Sequence, residues 1–142
     1  MEINNEYKWT EKLMGNRFEI TVVASDEQFA NNKIDLAILE IKRIESLLST
    51  YNDDSQTNQI NNKAGINAVK VDKEVFELIE RSIKISAITD GAFDISYGSI
   101  DKKLWNFDKT MTSLPDEEIA KRSVQKIDYR NISLDKEKRT VF

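Results

Sequence analysis

From Arg17 to Ala24 the chain alternates. Phe18, Ile20 and Val22 fall on one side, and Glu19, Thr21 and Val23 on the other, which is the period of a half-buried strand. Tyr7 to Met14 is a weaker strand candidate, and Gly15-Asn16 between the two reads as a hairpin turn. The period then lengthens. Ile34, Ala37, Ile38, Ile41, Ile44 and Leu48 recur at three and four, one apolar stripe of a helix predicted from Asp26 to about Leu48. Ser25 is placed to cap it, with Gln28 as its capping-box partner. The polar run Ser49 to Ser55 ends that helix.

Gln56 to Asn61 suits a short helix, Ala64-Gly65 a turn, and Ala68 to Val71 a short strand. Asp72 opens a second long helix whose inner stripe is Val75, Leu78, Ile79, Ser82, Ile83 and Ser86. Asp90-Gly91 closes it, glycine serving as the left-handed stop. Ala92 to Asp108 reads as irregular. Pro115 sits near the first position of a third helix, with Asp116, Glu117 and Glu118 at its positive end and Ile119, Ser123 and Ile127 along one side. Asn131–Leu134 and Thr140–Phe142 then form two strands around an Asp135-Lys136-Glu137-Lys138 turn. The pattern predicts an α+β fold of two layers, helices packed on a largely antiparallel sheet.

The 142 residues suit one domain, or a piece of something larger. Ending inside the run Thr140-Val141-Phe142 reads as truncation, against the alternative of a docked terminal strand. No apolar stretch reaches the ~20 residues of a membrane span. The polar start Met1 to Glu6 has no signal-peptide core.

Charge and composition narrow the chemistry. With 21 basic and 25 acidic residues the net charge is −4, which argues against a nucleic-acid partner that needs a basic face. There is no histidine and no cysteine. That removes the Ser-His-Asp triad, two-histidine zinc motifs, thiolate nucleophiles and iron–sulfur clusters. Glycine-rich phosphate loops are absent too. Asn52-Asp53-Asp54-Ser55 lacks the glycine and distal glutamate of a calcium loop. Asn131-Ile132-Ser133 fits a glycosylation sequon of a kind common by chance.

Four segments remain. Met14-Gly15-Asn16-Arg17-Phe18 enters a strand, Ser49-Thr50-Tyr51 leaves the first helix, Asp90-Gly91-Ala92-Phe93-Asp94 leaves the second, and Leu104-Trp105-Asn106-Phe107 follows. A glycine beside a strand lets a flat ligand approach the backbone. A tyrosine at a helix exit offers a ring face and a hydroxyl. Asp94 can accept from a ligand's amide or hydroxyl groups. Each has a plain structural reading beside this: Gly15 a hairpin turn, Tyr51 a cap on the core, Gly91 a helix stop, Asp94 a turn former. Together they suit a large, flat ligand with polar edges, such as a flavin dinucleotide.

In order and spacing, these segments resemble the N-terminal half of the ApbE family, FAD:protein FMN transferases once described as thiamine-biosynthesis lipoproteins. The resemblance runs from about Met14 to Phe142. It is carried by M-G-x-R-F, the helix reaching Ser49-Thr50-Tyr51, the stretch from Ser55 to Ile60-Asn61, Asp90 to Ser96 and L-W-x-F. It implies FAD contacts at Met14, Tyr51, Ala92, Phe93 and Asp94, with no catalytic residue or metal ligand assigned. It implies a magnesium-dependent transfer of FMN from FAD to a threonine or serine of an acceptor flavoprotein subunit, with release of AMP. Such a hydroxyl attack on phosphorus needs in-line positioning and a cation more than a histidine.

Members are roughly double this length. Their second half, with a G-G-x-A-K-G segment and the main metal ligands, is missing here, as is the lipid-attachment cysteine. Asn16 stands where the family usually has threonine. The expectation is therefore residues 1–142 as a single domain, the N-terminal part of an ApbE-like fold, inactive as a fragment. A face left uncovered favours self-association. The full-length protein is expected at the periplasm or cell envelope on a lipid anchor. Two alternatives stand beside this: a non-catalytic ApbE-like module that assembles with another chain, and an unrelated acidic α+β domain.

Overall fold

The computed structural model describes residues 4–100 and 113–142. The chain packs as two compact units, Met1–Asn62 and Lys63–Phe142.

In the first unit, strands β1 (Asn5–Leu13) and β2 (Asn16–Ala24) pair antiparallel, with Leu13 opposite Asn16 and Tyr7 opposite Val22. Met14 and Gly15, not Gly15 and Asn16, are the central turn residues, both with positive φ (50° and 74°). Two positive φ values are what a tight hairpin of this twist requires. Phe18, Ile20 and Val22 face inward as the alternation predicts. Helix α1 (Glu27–Leu48) lies on that face: Ile34 and Ile38 are buried with Leu13, and Tyr7, Phe18, Ile20, Val22 and Ile41 pack around them. Lys42 of the helix pairs with Glu11 of β1 at 2.9 Å.

The cap of α1 is Asp26 rather than Ser25, its carboxylate accepting from the Phe29 N–H at 2.6 Å. Both are cap-forming residues. Asp26 has the extended backbone that lets its side chain turn back onto the third amide of the helix. Helix α2 (Gln56–Lys63) follows and runs two residues past the predicted end.

In the second unit, β3 (Val69–Lys70), β4 (Leu134–Asp135) and β5 (Thr140–Val141) form an antiparallel sheet ordered β3-β5-β4. The apolar Thr140-Val141 run is thus the middle strand, and Val141 is buried. Helix α3 (Lys73–Ile88) buries Val75, Phe76 and Ser86. Leu78, expected in its inner stripe, is exposed, and Phe76 takes the buried place. The buried arc is turned toward the Phe76 side of the helix.

Helix α4 (Glu117–Ser123) is capped by Asp116, whose carboxylate accepts from the amides of Glu118 and Ile119. Pro115 stands one place ahead of that cap instead of at the first helical position. Ile119 is exposed, so the expected stripe through it is not formed. Two short 3-10 helices, Ile95–Ser99 and Tyr129–Asn131, complete the unit. The second replaces the start of the predicted 131–134 strand. Helices and small antiparallel sheets make the architecture α+β, as the hydrophobic pattern implies. No described helix is long and apolar enough to cross a membrane.

Candidate functional site

The end of α3 sets up a cavity. Gly91 N–H donates to Ser86 O (2.9 Å) and Asp90 N–H to Ala87 O (3.3 Å), the paired bonds of a Schellman stop. Asp90 and Gly91 both turn left-handed, with φ of 51° and 79°. The aspartate occupies the position where glycine was expected, and the glycine follows it. Aspartate tolerates that region better than most side chains. Thr89 then pins the chain: its carbonyl accepts from Ala92 N–H (3.0 Å) and its hydroxyl from Phe93 N–H (3.1 Å). The loop is thereby folded back on the helix end.

Asp94 starts the first 3-10 helix and does more than form a turn. Its Oδ1 accepts from Ser96 N–H (2.8 Å) and from the Ser96 hydroxyl (2.7 Å). Its Oδ2 accepts from Tyr129 N–H at 2.9 Å, thirty-five residues along the chain. Ser96 Oγ in turn accepts from Asp128 N–H at 2.8 Å. Partial burial and the nearby Asp128 push the Asp94 carboxyl up, but these donors outweigh both and hold it below the ordinary aspartate range. Asp128, stitched to Arg130 by side-chain and backbone bonds, is lowered as well.

Gly91, Ala92, Phe93, Asp94, Ile95, Tyr97, Gly98 and Ile127 line a cavity of about 500 Å³. Phe93 and Tyr97 are 44% and 53% exposed. An open, mainly apolar hollow with two aromatic rings suits a planar ligand. Three of the five expected contacts, Ala92, Phe93 and Asp94, share this wall.

Met14 and Tyr51 belong to the first unit. Met14 is 41% exposed and holds a left-handed backbone, costly for a side chain of its size. Tyr51 is 93% exposed, so it does not cap a core. Its loop is nonetheless held. Asn58 Nδ2 donates to Thr50 O (3.0 Å) and Asn52 O (2.9 Å), and Ser49 Oγ accepts from Tyr51 N–H (3.1 Å). Ser55, fully buried, caps α2 by accepting from Asn58 N–H. Sequence reading missed Asn58, although Ser55 to Asn58 has the spacing of a helix start. The tryptophan segment Leu104-Trp105-Asn106-Phe107 lies outside the described residues.

Among the described residues, no three carboxylates gather where they could hold a cation. Asp94, the one acidic group among the described residues of the cavity wall, has three protein donors on its two oxygens. These residues do not fit a resident magnesium site by themselves.

The chain belongs to the ApbE family, whose model matches residues 14–141. It is 34% identical over 116 residues to an FAD:protein FMN transferase of Klebsiella pneumoniae (strain 342), covering 82% of this chain and 35% of that protein. A second FAD:protein FMN transferase, from Treponema pallidum (strain Nichols), is 31% identical over 94 residues, covering 66% and 26%. The crystal structure of the ApbE protein of Thermotoga maritima MSB8 superposes with a TM-score of 0.78 at 27% identity, over 97% of this chain and 44% of that one. The flavinyl transferase ApbE of Pseudomonas stutzeri, apo form, shares the fold with a TM-score of 0.72 at 20% identity, over 97% and 44%. The chain spans about a quarter to a third of the curated relatives it matches, and less than half of the solved ones.

Proposed function

We propose that this chain is the FAD-binding N-terminal part of an FAD:protein FMN transferase. The observation that supports this most is the open cavity lined by the Gly91–Gly98 loop and Ile127, in a chain whose relatives carry that name. Ala92, Phe93 and Asp94 wall the cavity; Met14 and Tyr51 are FAD contacts in this reading on the family resemblance alone. In the full reaction a threonine or serine oxygen of an acceptor flavoprotein subunit attacks the FMN-side phosphorus of the FAD pyrophosphate. A new P–O bond forms as the bond to AMP breaks, and the hydroxyl proton leaves to solvent or a base. This chain's part is to bind and orient the dinucleotide, which is where in-line displacement gains most from positioning. The described residues do not build a site for the magnesium that the family resemblance implies. By the same family reading, the full-length protein sits at the cell envelope on a lipid anchor.

Titration of FAD, with and without magnesium chloride, into the 142-residue chain and into a full-length form tests the proposal. The expected result is saturable binding that is weaker in the short chain and falls on Phe93→Ala, with no FMN transfer to an acceptor by the short chain alone. Absence of FAD binding in both forms overturns the reading; FMN transfer by the short chain refutes its fragment clause.

One observation favours a second reading, a non-catalytic module that assembles with another copy or chain. Phe29, Leu36 and Leu39 of α1 are each more than half exposed and lie off the buried Ile34/Ile38 stripe. Sedimentation velocity at rising concentration distinguishes a self-associating module from a monomer.

A further inference from the structure

We infer that Ser96 is a positioning residue for the cavity, holding the wall that carries Ile127 against the loop that carries Phe93 and Tyr97. This rests on the flavin reading above only for the identity of the ligand. The argument starts from connectivity. Seven of the eight lining residues come from the continuous run 91–98, and the eighth, Ile127, comes from a segment some thirty residues on. That segment is tied to the loop by two side-chain bonds: Asp128 N–H to Ser96 Oγ at 2.8 Å and Tyr129 N–H to Asp94 Oδ2 at 2.9 Å. Ser96 serves both. Its hydroxyl proton goes to Asp94 Oδ1 at 2.7 Å, which leaves its oxygen lone pair for Asp128 and fixes the carboxylate whose other oxygen faces Tyr129. A hydroxyl is the one small side chain able to donate and accept at once here. Alanine cannot do either; threonine can do both.

The bonds are partly buried, so water can take over some of the lost pairing. The expected consequence is an open, mobile wall in a protein that remains folded. Ser96 does not line the cavity, so a ligand contact does not explain an effect of its removal.

The test compares wild type, Ser96→Ala and Ser96→Thr by amide hydrogen exchange and by FAD titration, with α3 amides as the internal control for folding. In Ser96→Ala, exchange at Asp128 and Tyr129 should quicken about tenfold while α3 is unchanged, and the FAD dissociation constant should rise about tenfold, the loss of one or two net hydrogen bonds. Ser96→Thr should restore both. Unchanged exchange at Asp128 and Tyr129 overturns the inference. So does quickened exchange with unaltered FAD affinity. If wild type takes up no FAD, the flavin reading falls by itself. The exchange data then decide the inference alone: quickening reversed by threonine upholds it, and no quickening ends it.

Discussion

Removing the Asp94 carboxylate should cost the second unit much of its local stability. Asp94→Ala orphans three donors at once, Ser96 N–H, the Ser96 hydroxyl and Tyr129 N–H, now bonded at 2.8, 2.7 and 2.9 Å. A bond to a charged acceptor is worth about 1.5–3 kcal/mol when protected from water. Asp94 is only half-buried, so water recovers part of each, and about 1 kcal/mol per donor is the reasonable figure. That sums to about 3 kcal/mol, a sizeable share of the 5–15 kcal/mol a domain has. Asp94→Asn should cost about half as much, because one amide oxygen can serve Ser96 while the amide nitrogen meets the Tyr129 N–H, donor against donor.

The pH dependence gives an independent check. The folded carboxyl is held below its unfolded value of about 3.9. Its contribution is therefore fully present above that value and is lost as pH falls through the lowered folded one. Urea unfolding of wild type and both variants, followed by circular dichroism and by exchange of α3 amides, should show the full gap at pH 7. The gap should narrow as the pH falls through the lowered folded value. A variant within about 0.5 kcal/mol of wild type at pH 7, the ordinary scatter of neutral surface changes, would refute the clamp. A gap that ignores pH would do the same.

Three further outcomes are expected. Met14→Gly should stabilise the first unit by about 0.5 kcal/mol in thermal or urea melts, the relief of about 1 kcal/mol of left-handed strain less the added freedom of the unfolded chain; FAD affinity should nonetheless fall, since the methionine side chain is gone. Ile38→Ala, at the centre of the α1–hairpin core, should cost about 2–4 kcal/mol in the same melts and leave the cavity of the second unit unaltered by exchange at Phe93 and Tyr97. Tyr51→Ala should leave stability within about 0.5 kcal/mol, because the ring is exposed, while isothermal titration of the full-length form shows weaker FAD binding; equal affinity removes Tyr51 from the site.

These predictions divide along a line that also marks what could be read from the residues. The hairpin face Phe18/Ile20/Val22 and the helix stripe Ile34/Ile38 were legible because periodic burial is a local property. It repeats every second residue or every third and fourth, and the packed core uses those positions. Element ends were less so. Ser25 and Asp26 both offer a capping oxygen, and only the backbone at Asp26 decides which reaches Phe29. Pro115 fits either the first turn or the residue before a cap, and the Asp116 carboxylate settles it. On α3, Phe76 displaces Leu78 because the buried arc of a short helix depends on what lies to each side, which periodicity alone does not contain. At the hairpin, glycine was visible as a turn former, but the tight turn needs two left-handed residues. Nothing in a methionine announces that it is the partner of Gly15 in that turn.

The candidate site divides the same way. Ala92, Phe93 and Asp94 were findable as neighbours in sequence that stay neighbours in space. Their partners were not, since Ile127, Asp128 and Tyr129 arrive from a distant segment through a serine hydroxyl and a carboxylate. Asp94 was read as a group free to meet a ligand. In the fold three of its roughly four acceptor sites are taken by protein donors, so it secures the wall and keeps about one site for a ligand. A carboxylate placed beside a binding loop is thus poor evidence of contact until its acceptor capacity has been accounted for. Here two oxygens already hold three donors, and the larger surfaces left to meet a planar guest are the half-exposed Phe93 and Tyr97 rings.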